Sequence, residues 1–135
     1  MQVDHIGYAV PNIGRAIDGF EALGFSFGST IDDVARNVVL CFGVNGDTAV
    51  ELVCPLDREK PSPVDSYLSS SQPSPYHICY VSDDFDGDLR RLTSSGFRVV
   101  VKPEPAVAFD GRNVVFLYNL GVGLLEIVES ENRKG

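Results

Sequence analysis

His5-Ile6-Gly7-Tyr8 and His77-Ile78-Cys79-Tyr80 agree at three of four positions across an offset of 72 residues. The agreement extends outward from them. Gly24-Phe25 falls on Gly96-Phe97 at the same offset, and Ile13, Ile17 and Phe20 fall on Phe85, Leu89 and Leu92. Further along, Asn37-Val38-Val39 matches Asn113-Val114-Val115 at an offset of 76, and Glu51-Leu52-Val53 matches Glu126-Ile127-Val128 at 75. Landmarks that recur in one order mark an internal duplication. The drift from 72 to 75 puts the extra residues in loops, where insertions are tolerated.

Both halves predict the same elements. His5–Val10 is a β-rich alternation ended by Pro11. Asn12 is suited to cap a helix, Ile13, Ile17, Phe20 and Leu23 recur at helical spacing, and Gly24 is placed to stop it. Strands follow at Phe25–Ser29, Asn37–Val44 and Thr48–Cys54, the last two joined by the turn Asn45-Gly46-Asp47. The second half predicts a strand at Tyr76–Ser82, a helix at about Asp84–Ser95, and strands near Arg98–Lys102, Asn113–Leu120 and Gly123–Glu129. Each half is therefore a βαβββ module of α+β class, at about residues 1–55 and 76–131. The segment 56–75, rich in Ser, Pro and charge, reads as a linker with one helical turn at Val64–Leu68. Residues 132–135 read as a polar tail.

The chain has 135 residues, the size of one domain. Its 11 basic and 19 acidic residues leave a net charge of −8. That balance argues against nucleic acid, whose binding rests on phosphate neutralisation, and against an anionic membrane surface. No apolar run is long enough to span a bilayer, and the N-terminus has no basic-then-apolar segment of the secretory kind. Cys41, Cys54 and Cys79 are odd in number and widely spaced, which predicts reduced thiols in a cytoplasmic protein.

The duplication also brings chemistry-bearing residues into correspondence. The two histidines of the chain, His5 and His77, occupy the first strand of each half, and Glu51 and Glu126 the last. A carboxylate inside an apolar run such as Ala49-Val50-Glu51-Leu52-Val53 is costly to bury alone and needs a partner. Two imidazoles and two carboxylates suit one divalent metal of octahedral preference, among nickel, cobalt, manganese, iron(II) and zinc.

Asp4-His5-Ile6, Val50-Glu51-Leu52-Val53, Tyr76-His77-Ile78-Cys79 and Leu125-Glu126-Ile127-Val128 together resemble the vicinal oxygen chelate superfamily. That superfamily includes glyoxalase I, methylmalonyl-CoA epimerase, bleomycin-binding proteins and extradiol dioxygenases. The resemblance covers essentially the whole chain. It implies two βαβββ modules pairing into a half-open mixed β-barrel, the glyoxalase/bleomycin resistance/dihydroxybiphenyl dioxygenase fold, within a single domain 1–135. It implies His5, Glu51, His77 and Glu126 as metal ligands, with Glu126 and Glu51 also acting as catalytic bases. A homodimer is implied as well.

The His/Glu/His/Glu set in a short chain resembles bacterial glyoxalase I. The implied activity is a lactoylglutathione lyase type, isomerising the hemithioacetal of methylglyoxal and a thiol with Ni2+ or Co2+, or Zn2+. The alternative is methylmalonyl-CoA epimerase, which the stretch Pro55-Leu56-Asp57, Ser62-Pro63-Val64 and Tyr67-Leu68 resembles. That family carries an acidic base ahead of its third strand followed by Gln-Gly. Here the stretch is Asp32-Asp33-Val34-Ala35-Arg36-Asn37, without Gln-Gly and with Asp33 as the nearest acid. A non-catalytic ligand-sequestering member is a third reading. A dioxygenase, with two His and one carboxylate, is disfavoured by the second Glu. The substrate, a small anionic thioester or hemithioacetal, needs local cations in an acidic chain; Arg36, Lys102 and Arg112 are the candidates.

Overall fold

The computed structural model describes residues 1–131; the tail read at 132–135 lies outside them. The described residues form two compact units. One is His5–Tyr76, and the other starts at His77 and includes Met1–Asp4.

The first unit holds β1 (Gln2–Ala9) from His5 onward, followed by α1 (Ile13–Ala22), β2 (Ser26–Phe27), β3 (Ile31–Asp33), β4 (Val38–Asn45) and β5 (Thr48–Pro55). β5 runs parallel to β1 and antiparallel to β4, and both β2 and β3 pair with β4. In the second unit, β6 (Ser74–Ser82) from His77 onward, α2 (Phe85–Ser94), β7 (Arg98–Pro105), β8 (Asn113–Asn119) and β9 (Gly123–Glu129) repeat the scheme. β9 runs parallel to β6 and antiparallel to β8, and β7 is the outer strand on β8. The class is α+β, as expected, and the register repeats with the pattern. Gly7 stands beside Glu51 on β1 and β5, and Cys79 beside Glu126 on β6 and β9. These pairs are related by the same offsets of 72 and 75 found in the sequence.

Local chemistry explains the helices. Asn12 accepts the N–H of Arg15 at 3.0 Å and Asp84 that of Gly87 at 3.2 Å, so each helix opens on a side-chain cap. Each ends where a glycine adopts a left-handed backbone, Gly24 at φ 105° and Gly96 at φ 92°. The turn closes through Phe25 N–H to Phe20 O and Phe97 N–H to Leu92 O. α1 lays Ile13, Ala16, Ile17 and Phe20 on Val50, Leu52 and Cys54 of β5. α2 lays Phe85, Leu89 and Leu92 on Val115, Leu117, Leu125 and Ile127. Because strand side chains alternate, covering one face with a helix leaves Glu51 and Glu126 on the opposite face.

Three expectations change in detail. The second strand of the first half is not continuous over Phe25–Ser29. It breaks into β2 and β3, with Phe27 opposite Gly43 but Ile31 opposite Leu40, so it carries one extra residue around Gly28-Ser29-Thr30. Its counterpart β7 runs past the expected Lys102 to Pro105, with register shifts between Val99 and Val101 and between Val101 and Glu104. Pro103 has no N–H to give, which an outer strand tolerates. The linker is also more ordered than its composition suggests. Asn37 Nδ2 reaches the carbonyls of Asp57, Lys60 and Pro61 at 3.0–3.1 Å, and its Oδ1 accepts the N–H of Asp57 at 2.8 Å. Val64 is fully buried, Asp65–Leu68 forms a 3-10 turn, and β6 already begins at Ser74.

Candidate metal centre

In the first unit, His5 Nε2 lies 3.4 Å from Glu51 Oε1. Across the antiparallel pair Phe42 stands directly opposite Glu51, and its ring meets the His5 ring edge-on, with centroids 5.3 Å apart and planes at 74°. The second unit builds the same trio. His77 Nε2 lies 3.2 Å from Glu126 Oε1, Phe116 stands opposite Glu126, and its ring meets His77 at 5.5 Å and 80°. Strand pairing sets the His–Glu approach, while the phenyl ring fixes the imidazole plane through an edge-to-face contact.

All four polar side chains are buried, with residue exposures of 1% for His5, 6% for Glu51, 4% for His77 and 5% for Glu126. Simple alternation could have turned both glutamates to solvent, but it does not. A carboxylate removed from water requires compensation by charge and hydrogen bonding. The separations fit shared ligation. Donors about 2.1 Å from an ion of the zinc type stand roughly 3.0 Å apart at right angles and about 3.4 Å apart in a tetrahedron. Both His–Glu separations fall in that span. Each unit thus supplies one nitrogen and one carboxylate oxygen suited to a divalent transition metal.

The other expected site residues separate. Asp33 is buried opposite Val38, with Oδ1 accepting the Arg36 backbone N–H and Oδ2 its Nη1, both at 3.1 Å. Arg112 is bound into its own unit. It donates from Nε to Phe109 O at 3.2 Å and from Nη1 to Glu129 O at 2.8 Å, and it lies over the Phe109 ring at 5.3 Å. Phe109 is buried as core, as its apolarity suggests. Lys102 is exposed on β7. Cys41, Cys54 and Cys79 are buried thiols, and burial pushes the pKa of Cys41 and Cys54 up. Sequence reasoning missed Phe42 and Phe116. Their signal was available, because each stands opposite its glutamate across the hairpin and the two lie 74 residues apart.

The sequence profile of the Glyoxalase/Bleomycin resistance protein/Dioxygenase superfamily matches residues 4–116. The chain belongs to that superfamily. A curated relative, an ethylmalonyl-CoA/methylmalonyl-CoA epimerase of Cereibacter sphaeroides, is 29% identical over 119 residues, covering 87% of each chain. The fold is shared with solved structures. A hypothetical protein of Bacillus halodurans has a TM-score of 0.84 at 22% identity, covering 99% of this chain and 97% of that one. A methylmalonyl-CoA epimerase of Mycobacterium tuberculosis has a TM-score of 0.79 at 24% identity, covering 94% and 86%. Another from Streptomyces coelicolor, solved in complex with 2-nitronate-propionyl-CoA, has a TM-score of 0.81 at 24% identity, covering 100% and 98%. Where these proteins carry a named activity, it is that of a methylmalonyl-CoA or ethylmalonyl-CoA/methylmalonyl-CoA epimerase. Among the described residues, no helix is long and apolar enough to cross a membrane.

Proposed function

We propose that this superfamily member is an acyl-CoA epimerase that inverts the carbon between the carboxylate and the thioester of a 2-alkylmalonyl-CoA. His5, Glu51, His77 and Glu126 would together hold one divalent cation. The pair of buried His–Glu–Phe trios at repeated positions carries the reading. The likeness to an ethylmalonyl-CoA/methylmalonyl-CoA epimerase over 87% of the chain supports the substrate class.

The reaction requires removal of a proton from a carbon acid that is very weak in water. The cation, when bound, supplies Lewis-acid stabilisation of negative charge growing on the thioester oxygen. The chain's own groups supply the proton path. Glu51, entering as the carboxylate, would take the α-proton, the C–H electron pair would spread into the carbonyl, and Glu126, entering as the carboxylic acid, would give its own proton to the opposite face, which leaves Glu51 protonated and Glu126 ionised. In the reverse direction the two exchange roles. Asp33 is passed over as the base because both its oxygens are taken by Arg36. Phe42 and Phe116 keep the imidazoles oriented and water away from them. A homodimer belongs to the same proposal, since the outer strand β7 leaves Val99, Val100 and Val101 exposed.

The test is turnover by metal-reconstituted protein, nickel, cobalt and zinc separately, followed by α-proton exchange in deuterated water. One epimer of methylmalonyl-CoA or ethylmalonyl-CoA should be converted to the other with exchange. Conversion of the methylglyoxal–thiol adduct alone would restore the glyoxalase reading.

A further inference from the structure

The His–Glu–Phe trios of the two halves are alike, and like trios cannot by themselves tell one end of an acyl-CoA from the other. The same strand faces differ two residues beyond the phenylalanine. In the first unit Ser26 of β2 stands opposite Val44 of β4, two residues from Phe42. In the second, at offsets of 72 and 74, Arg98 of β7 stands opposite Tyr118 of β8, two residues from Phe116. The register is the same and the chemistry is not.

Strand alternation puts Tyr118 on the face of β8 that carries Phe116, whose ring meets His77. Leu117 between them packs into the cluster under α2. Glu126 is opposite Phe116 and shares its face. Arg98 is therefore on the His77–Glu126 face of its unit, and a contact locates its guanidinium. Arg98 Cζ lies 5.9 Å from the centroid of the Tyr118 ring, within cation–π reach. That contact brings the charge inward over β8 rather than out past the edge formed by β7. Arg98 is exposed and Tyr118 half-buried. A ring orients a guanidinium without using up its N–H donors, and among the described residues no carboxylate pairs with Arg98. Arg36 and Arg112 differ, since the first is ion-paired with Asp33 and the second donates to two backbone carbonyls.

We infer that Arg98, held on the Tyr118 ring, binds an oxyanion of the substrate, either the free carboxylate or a phosphate of the CoA thioester. This rests on the acyl-CoA reading above. Planar guanidinium donors match carboxylate and phosphate oxygens alike, and an aromatic platform behind the guanidinium limits its rotamers before the ligand arrives.

Calorimetric titration of wild type, R98Q, R98K and Y118L tests it, with malonyl-CoA, malonyl-pantetheine, propionyl-CoA and propionyl-pantetheine as probes and KM for methylmalonyl-CoA measured alongside. R98Q should weaken malonyl-CoA about tenfold or more, as expected for a lost charge-assisted bond, and raise KM. It should leave propionyl-pantetheine, which carries neither oxyanion, unchanged. A loss that persists with malonyl-pantetheine assigns the carboxylate, and one that persists with propionyl-CoA assigns a phosphate. R98K, which keeps the charge and guards against misfolding of the neutral variant, and Y118L, which removes the platform, should fall between. Unchanged malonyl-CoA affinity in R98Q, an equal loss for propionyl-pantetheine, or no malonyl-CoA binding by wild type would overturn the inference. Arg98-dependent binding without epimerisation would instead overturn the activity and leave the inference standing.

Discussion

Replacing Gly43 by alanine should destabilise the chain, although alanine is ordinarily the better residue in a strand. Gly43 lies on the helix side of β4, directly opposite Phe27. A methyl group placed there would stand 2.5 Å from Cζ and 2.7 Å from Cδ1 of the Phe27 ring, with Cε1 nearer still. Carbon atoms make favourable contact at about 3.5–4.0 Å, so the ring must retreat by about 1 Å. It cannot retreat freely, because Phe27 packs against Phe20 at 6.3 Å and Phe25 at 6.5 Å over α1. Overpacking of this kind costs about 1–3 kcal/mol, against about 0.5–1 kcal/mol recovered by removing a glycine. The net loss should be up to about 2.5 kcal/mol, centred near about 1 kcal/mol, a fall of roughly 0.5 M in the urea midpoint. Gly19, inside α1 with nothing within 4 Å of where a methyl would sit, is the control. There the same change should stabilise by about 0.5–1 kcal/mol. Urea unfolding followed by circular dichroism reads both, and F27L in the G43A background should recover part of the loss. G43A at or above wild-type stability would refute the packing described for β2 and β4.

Other outcomes follow from local chemistry. The Ser82 hydroxyl donates to Asp88 at 2.6 Å and holds its carboxyl below the usual range, with Arg91 adding to the effect. A depressed carboxyl contributes stability that is fully present above its unfolded pKa and lost as pH falls through the folded value, so S82A should raise the Asp88 pKa by NMR titration and flatten the acid limb of stability. Cys41 and Cys54, buried with raised pKa values, should react with a thiol reagent only slowly at neutral pH in the native state, while denatured protein yields three equivalents. F42A and F116A should each weaken divalent-metal affinity by roughly 10–100-fold, and by similar factors, as groups that orient the ligand histidines; a large effect in one half only would contradict their equivalence.

The sequence made much of this legible because duplication supplies its own control. Offsets of 72 and 75 between matched residues recur as matched strand registers at Glu51 and Glu126, and both helices start and stop where capping residues and glycines said they would. What stayed hidden depended on tertiary context. The break between β2 and β3 arises from one surplus residue that composition does not mark. Asn37 read as a strand residue, yet its side chain ties down the loop at Asp57–Pro61. Phe42 and Phe116 read as ordinary strand aromatics, since only the register reveals that they face the glutamates. Arg36 and Arg112 looked alike as candidate cations, and only their partners separate them.

X-ray absorption by the cobalt-loaded chain, with the metal content measured on the same sample, addresses the joint site most directly. One ion per chain with two imidazoles and carboxylate oxygens around it is the expected spectrum, and H77A should lose an imidazole or the ion. Two ions per chain with a single imidazole each would mean that each His–Glu pair works alone and that no shared centre exists.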